Sequence, residues 1–455
     1  MKTNIVVILV FLGVISGCKK QDDFLAAVPN NSLTIPKSVG DLQKLLLNES
    51  VLNRFEPSLG LVSGDEYTAL PALYNAVEIT QQNAYKWSSV IYPGNYQLSD
   101  WNTPYSQMLI ANTVLDAIPT IILKEGEQGA MNTVKGTALF FRAKAIYNLV
   151  EIFAVPYDSV TARTDLGIPM RLSSNLNIKS VRSSVQDCYD QVAADLNAAI
   201  TLLPPSTTLF TQPSSAVASG FLARVYLSIG KYDLAFSNAD AFLHRYGTLT
   251  DFNTLSPVGN SLSSDYLSED IFHAVMNKYF ISNGPSALID SNIVKSFDAN
   301  DLRSKLFFHD YGKGGRTFIG TFDVQNFGFY CGIAVGEMYL IRAECEARMG
   351  KIADAMADLN TLLLNRYVTG TLIPLQATTA DQALSIILQE RKKELLYRGV
   401  YWTDLRRLNK DPKYAKTLTR IVKGTSYQLP PNDPKYALPI PDLEVQLSGI
   451  QQNPR

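Results

Sequence analysis

Histidine is scarce, with 3 in 455 residues. His244, His273 and His309 stand far apart in the chain, so there is no H-E-x-x-H pair, and His-dependent catalysis has little to draw on. The 4 cysteines, Cys18, Cys188, Cys331 and Cys345, show no C-x-x-C spacing. Cys18 aside, an odd number remains, so at most one disulfide can form and the spacing argues against a zinc site; buried free thiols are the expectation. An excess of one charge is missing too. Lys plus Arg number 41 against 42 Asp plus Glu, a net of −1, which leaves no global pull toward nucleic acid or an anionic membrane. There is no G-x-S-x-G elbow, no phosphate-binding loop and no complete G-x-G-x-x-G. Gly312-Lys313-Gly314-Gly315 reads as a flexible turn. Carboxylates are plentiful enough to pair as in a glycosidase, but no short segment marks such a pair. No metal or cofactor is expected.

What is present begins with a 46% hydrophobic, 18% charged composition, that of a folded chain. Tyr 23 and Phe 20 against Trp 3 supply flat faces that stack and hydroxyls that bond, and so lean toward binding over chemistry. At the start, Lys2 precedes an apolar run from Ile5 to Ile15 broken by Gly13. That run is shorter than the roughly 20 residues a bilayer span needs and suits a signal-peptide core. It leads into Ile15-Ser16-Gly17-Cys18, which resembles a bacterial lipobox. The sequence therefore predicts a signal peptide over 1–17, a lipidated Cys18 and a charged tether and N-terminal segment over 18–40. One domain follows over 41–455.

Most of that domain reads as amphipathic helix. Helices are expected over 130–152, 185–203 (stopped by Pro204-Pro205), 214–229, 233–245, 334–349 and 352–366, with a long run over 379–409 broken at Gly399. Ala223, Gly230 and Ala235 recur as Ala343, Gly350 and Ala355, and Arg142-Ala143-Lys144-Ala145 repeats the first-helix pattern. A small residue, a turn glycine and a second small residue are the signature of a tetratricopeptide-like hairpin. The fold class expected is mostly α: a tetratricopeptide-like helical-hairpin scaffold, with units near 100–155, 185–245, 334–366 and 379–409. Irregular loop and short-strand insertions over about 60–100 and 250–333 interrupt it. Long insertions of this kind usually carry function.

The C-terminal run Gln389-Glu390-Arg391-Lys392-Lys393-Glu394-Leu395 continues through Tyr397-Arg398-Gly399-Val400-Tyr401-Trp402-Thr403-Asp404-Leu405-Arg406-Arg407. It resembles the signature E-R-x-x-E-L-x-x-E-G-x-R-W-x-D-L-x-R of the SusD/RagB family of outer-membrane nutrient-binding lipoproteins, departing from it at Arg398 and Tyr401. Leu438-Pro439-Ile440-Pro441, Glu444 and Gln452-Asn453-Pro454 resemble the family's ending. Asp23-Phe24-Leu25 with Pro29 resembles its opening, and Trp101, Tyr105, Ala111-Asn112, Leu115-Asp116 and Leu139–Tyr147 its first helical unit. The resemblance implies a non-enzymatic lipoprotein of the cell outer membrane, facing outward and anchored in lipid through Cys18. It further implies capture of a glycan or peptide and delivery to a SusC-like TonB-dependent transporter. On this view Glu390, Arg391, Glu394, Asp404 and Arg406 form ion pairs that lock the last helices in place.

The ligand surface is expected in the aromatic-rich insertions, because sugar C–H faces sit on rings and hydroxyls need polar partners. The candidates are Asp65, Tyr67, Trp87, Tyr92, Tyr96, Tyr311, Phe322, Phe327 and Tyr330. Trp87 and Tyr92 lead, since Lys, Ser, Pro and Gly surround them. The competing reading for each, a core aromatic under a long loop, carries the greater weight, since Tyr and Trp are usually mostly buried. A peptide-binding helical scaffold of the outer membrane, or a surface glycosidase, stands as the alternative function.

Overall fold

The computed structural model describes residues 36–94 and 96–455. Cys18, the expected signal peptide and most of the expected tether lie outside the described residues. Ten helices of eight or more residues are found among those described: α1 Val39–Leu46, α2 Ser99–Ala117, α3 Gln128–Phe153, α4 Val185–Leu202, α5 Ser215–Ser228, α6 Tyr232–Arg245, α7 Val335–Arg348, α8 Ile352–Leu364, α9 Ala380–Glu394 and α10 Tyr401–Leu408. From α2 to α8 each helix lies against the next in chain order, and α9 closes the row against α7 and α8. The fold is thus mostly helical and tetratricopeptide-like.

The repeat read from the alanines has a packing basis. Ala143, Ala223 and Ala343 on the first helices and Ala235 and Ala355 on the second are fully buried, so the paired backbones approach closely where a larger side chain would hold them apart. Gly230 and Gly350 take φ of 71° and 78° at the turns between paired helices, a conformation that glycine adopts at little cost. Two units also share a fork. Arg142 on α3 pairs with Asp195 on α4 at 2.7 Å, and Arg342 on α7 pairs with Asp358 on α8 at 2.6 Å. A capping box of Ser184 and Asp187 starts α4.

The segment over 60–100 is more helical than its Gly, Ser and Asn content suggests. Short helices Leu59–Ser63, Pro71–Ala76 and Ile79–Tyr85 flank the strand Tyr67–Ala69. Leu61, Leu73 and Ala84 are buried, so tertiary packing overrides a weak local preference. The 250–333 insertion matches its expected character. Its strands form two-stranded antiparallel sheets, among them Val275–Met276 with Phe329–Tyr330 and Phe308–Gly312 with Gly315–Phe318. Ala287–Ile289 reaches back to pair with Tyr67–Ala69. One hydrophobic core runs from Val39 to Ile450 and includes both insertions, and a smaller one lies among α7, α8 and α9. Cys188, Cys331 and Cys345 are free thiols.

The C-terminal charges form the pairs the resemblance implies. Glu390 and Glu394 on α9 meet Arg303 at 2.8 and 3.0 Å, Glu394 also meets Arg366 at 2.8 Å, and Arg391 meets Asp404 at 2.9 Å. Arg406 lies 3.6 Å from Glu151 and donates to the Tyr436 carbonyl. Finally, Asn453 donates to the carbonyls of Phe153 and Leu438 at 2.7 Å each, which clasps the chain's last residues to the end of α3. Among the described residues no helix is long and apolar enough to cross a membrane.

Candidate ligand-binding surface

Five of the nine candidate residues are core residues. Trp87, 3% exposed, takes φ 55° and donates its indole N–H to the Ser63 carbonyl at 2.9 Å. The Arg420 guanidinium lies 5.0 Å from its ring and 3.6 Å from that of Tyr85, and donates to the carbonyls of Val62, Gly64 and Tyr85. Tyr67 packs between Tyr85 and Tyr397, and Tyr92 is 3% exposed. Phe322 and Tyr330 stack on each other at 5.1 Å beneath Arg398. The expectation that Trp87 and Tyr92 are exposed is therefore corrected. Ser89, Pro93 and Gly94 nearby in sequence face solvent, while both rings turn inward, Trp87 onto Ser63 and the distant Arg420.

Asp65 is half-buried and lies between two lysines. Burial alone would raise its carboxyl, but Lys392 and Lys416 outweigh that and hold it down to about 2. The Lys416 ammonium bonds it at 2.7 Å. Tyr96 is half-exposed and bonds Glu78, and Tyr311, 43% exposed, bonds Ser286 at 3.1 Å. Phe327 is 49% exposed. The structure brings neither Tyr96 nor Tyr311 to it.

Phe327 belongs to a surface that three separated segments build. Residues 53–56 run beside Val275–Met276, with the Glu56 N–H donating to Val275 and the Val275 N–H to Asn53. Val275–Met276 in turn pairs with Phe329–Tyr330. Asn53, buried, donates to the carbonyls of Thr211 and His273 at 3.0 and 2.9 Å, and the His273 N–H donates to the Phe210 carbonyl at 2.7 Å. These bonds fix the 206–212 loop against the insertion.

On the outer side of this frame the rings line up. Phe210 and Tyr266, both half-exposed, pack at 4.1 Å between centroids with their planes tilted by 39°. Gln325 donates to the Tyr266 hydroxyl at 3.0 Å and accepts from Arg54 at 3.4 Å. The Arg54 guanidinium lies 3.8 Å above the Phe327 ring, and Phe55 beside it is 50% exposed at φ 60°. Aromatic faces alternate here with amide, hydroxyl and guanidinium groups, the pairing that a sugar's C–H faces and hydroxyls require. Asp323 sets the turn that presents Gln325 and Phe327, accepting from the Gln325 and Gly328 N–H groups at 3.1 and 2.9 Å.

Sequence reasoning missed Arg54, Phe55, Phe210, Tyr266 and Gln325. Tyr266 follows Ser263-Ser264-Asp265, the polar setting used to favour Trp87, and could have been found. Arg54-Phe55 and Phe210 stand in short segments outside the aromatic-rich insertions and carried no local signal.

The comparisons with known proteins follow this architecture. Residues 30–227 match the family model described as starch-binding associating with outer membrane, and residues 334–455 match the SusD family model. A SusD-like protein of Formosa agariphila is 24% identical over 421 residues, covering 78% of this chain and 79% of that protein. A crystal structure of a SusD superfamily protein from Bacteroides thetaiotaomicron superposes with a TM-score of 0.75 at 21% identity, over 92% of this chain and 100% of that one. A SusD-like carbohydrate binding protein from Bacteroides vulgatus superposes with a TM-score of 0.65 at 18% identity, over 91% and 97%. With the helical units, the closing charge pairs and both family models in agreement, the chain belongs to the SusD/RagB family.

Proposed function

We propose that the protein is a non-catalytic, surface-exposed lipoprotein that captures an oligosaccharide and delivers it to a SusC-like TonB-dependent transporter. Capture takes place on the Phe210–Tyr266–Phe327 surface, and Cys18 carries the lipid that holds the protein in the outer membrane. The observation that supports this most is the alternation of exposed rings with Gln325 and Arg54 on a frame pinned by Asn53. A preorganised aromatic face binds a sugar without first ordering loose side chains. The names of the relatives point the same way.

The test is calorimetric titration of a soluble form lacking residues 1–18 against neutral and charged polysaccharides and against peptides. A glycan is expected to bind. Phe327→Ala and Tyr266→Ala should each weaken binding about tenfold, ~1.4 kcal/mol, with the melting temperature nearly unchanged. Peptide binding without glycan binding would favour the scaffold reading, and release of reducing sugar from a bound glycan would overturn the non-catalytic one.

A further inference from the structure

Behind that surface lies a cavity of about 70 Å³, bounded by the ribbon around Glu56 and Met276, the inner face of α3 and the start of α10. A single water needs roughly 10–15 Å³ of such space, so the cavity holds more than one small occupant. Five charged side chains line it: Glu56, Lys144, Glu151, Arg224 and Arg398. Four of them are matched. Glu56 accepts from Lys144, Asn148 and Gln107. Glu151 accepts from Tyr189 at 2.5 Å and Thr403 at 3.0 Å, and Arg224 holds Glu337 through two bonds of 2.8 and 2.6 Å.

Arg398 is the exception. It is 8% exposed and lies over Phe322, 3.6 Å from the ring centroid. Among the described residues no carboxylate pairs with it and no acceptor takes a hydrogen bond from its guanidinium. A guanidinium carries five N–H donors that almost always find acceptors, and that of Arg398 borders the cavity space, where an occupant can accept from it. An adjoining cluster sets Glu269, Asp301, Glu390 and Glu394 against Arg303, Arg366 and Lys393, four acids to three bases, but none of those acids reaches Arg398 as a bonding partner.

A second feature faces the same space. Gly399, Val400 and Thr403, at the amino end of α10, line the cavity with Arg398. Val400 precedes the helix without a side-chain cap. The first N–H groups of a helix lack intrahelical partners and carry partial positive charge, so this end adds donors to the unmatched guanidinium. The lining itself sets Lys144, Arg224 and Arg398 against Glu56 and Glu151, one positive charge over, while Glu337 offsets Arg224, Arg406 offsets Glu151, and the one extra acid of the adjoining cluster lies beyond bonding reach of Arg398.

We propose that this cavity is a binding site for one small monovalent anion of chloride size, held between the Arg398 guanidinium and the uncapped start of α10. The site is independent of the glycan surface and of whether that surface binds sugar.

The test uses crystals of the full-length chain grown in chloride-free gluconate buffer and soaked in sodium bromide. An anomalous peak is expected in the cavity, within hydrogen-bonding distance of Arg398. Bromide found only on the outer surface, with the cavity holding water alone, would overturn the proposal and leave Arg398 as a counter-charge to the acid-rich cluster. In solution, bromide added at constant ionic strength to about ten times its dissociation constant should raise the melting temperature by roughly 1–2 °C. Arg398→Gln should abolish that rise. A folded Arg398→Gln protein that kept the full rise would refute the site, and if that variant does not fold, the diffraction result on the native chain decides alone.

Discussion

His273 sits beneath the Phe210–Tyr266 pair with Nδ1 2.5 Å from Asp270 and Nε2 3.7 Å from Asp323. Burial opposes its charge, but the two carboxylates outweigh that and raise it from 6.5 to about 9. Glu66, buried behind Tyr397, is pushed up by burial from 4.5 to about 7. Both groups bind their proton more tightly folded than unfolded. The His273 contribution is therefore fully present below pH 6.5 and lost as pH rises through about 9, and that of Glu66 is present below pH 4.5 and lost as pH rises through about 7. Urea unfolding should show stability falling between pH 6.5 and 9 by up to about 3 kcal/mol on account of His273. His273→Gln should flatten that stretch, and an unchanged slope would refute the assignment. At this scale the sequence was least legible. Nothing around Trp87 announces Arg420, 333 positions later, whose guanidinium lies over its ring. Likewise nothing around Phe327 announces Arg54. Long-range contacts of single side chains leave no periodic trace.

Among elements, the end of α8, the middle of the 250–333 insertion and α9 meet at one buried ionic cluster. Burial alone would raise the Glu394 carboxyl, yet Arg366 and Arg303 hold it down to about 2. Glu394→Gln keeps the shape and removes the charge, weakening the bonds to Arg303 and Arg366, which keep Asp301, Glu390 and Glu269 as partners. A loss of about 1.5–3 kcal/mol is expected in urea unfolding, and no loss would show that this carboxylate is dispensable. The repeat turns make a gentler case. Gly350 has open space where a Cβ would stand, so Gly350→Ala should cost only the left-handed backbone strain, about 1–2 kcal/mol. Helices were the part of the fold most open to sequence reading. Each stripe and each alanine contact lies within a short stretch, and Gly230, Gly350 and Gly399 punctuate them. The short helices between Leu59 and Tyr85 escaped because packing, not propensity, forms them.

The whole molecule joins a helical row to an insertion that supplies Tyr266, Gln325 and Phe327 of the ring-bearing surface, the rest coming from residues 54–55 and 210. If the proposed anchoring holds, Cys18→Ser should move the protein from the membrane fraction to the soluble one, since two acyl chains at about 0.8 kcal/mol per buried CH₂ supply the attachment. Immunoblotting of the two fractions reads this directly, and unchanged membrane retention would refute lipid anchoring at that residue. Purification from detergent extracts through a tag on this chain should bring down a β-barrel transporter, and repeated recovery without one would remove the proposed delivery step. The clasp of Asn453 on Phe153 ties positions 300 apart. Asn453→Ala would strand the Phe153 and Leu438 carbonyls, and the carboxyl end of α3 should then exchange its amide hydrogens sooner than the rest of the helical row.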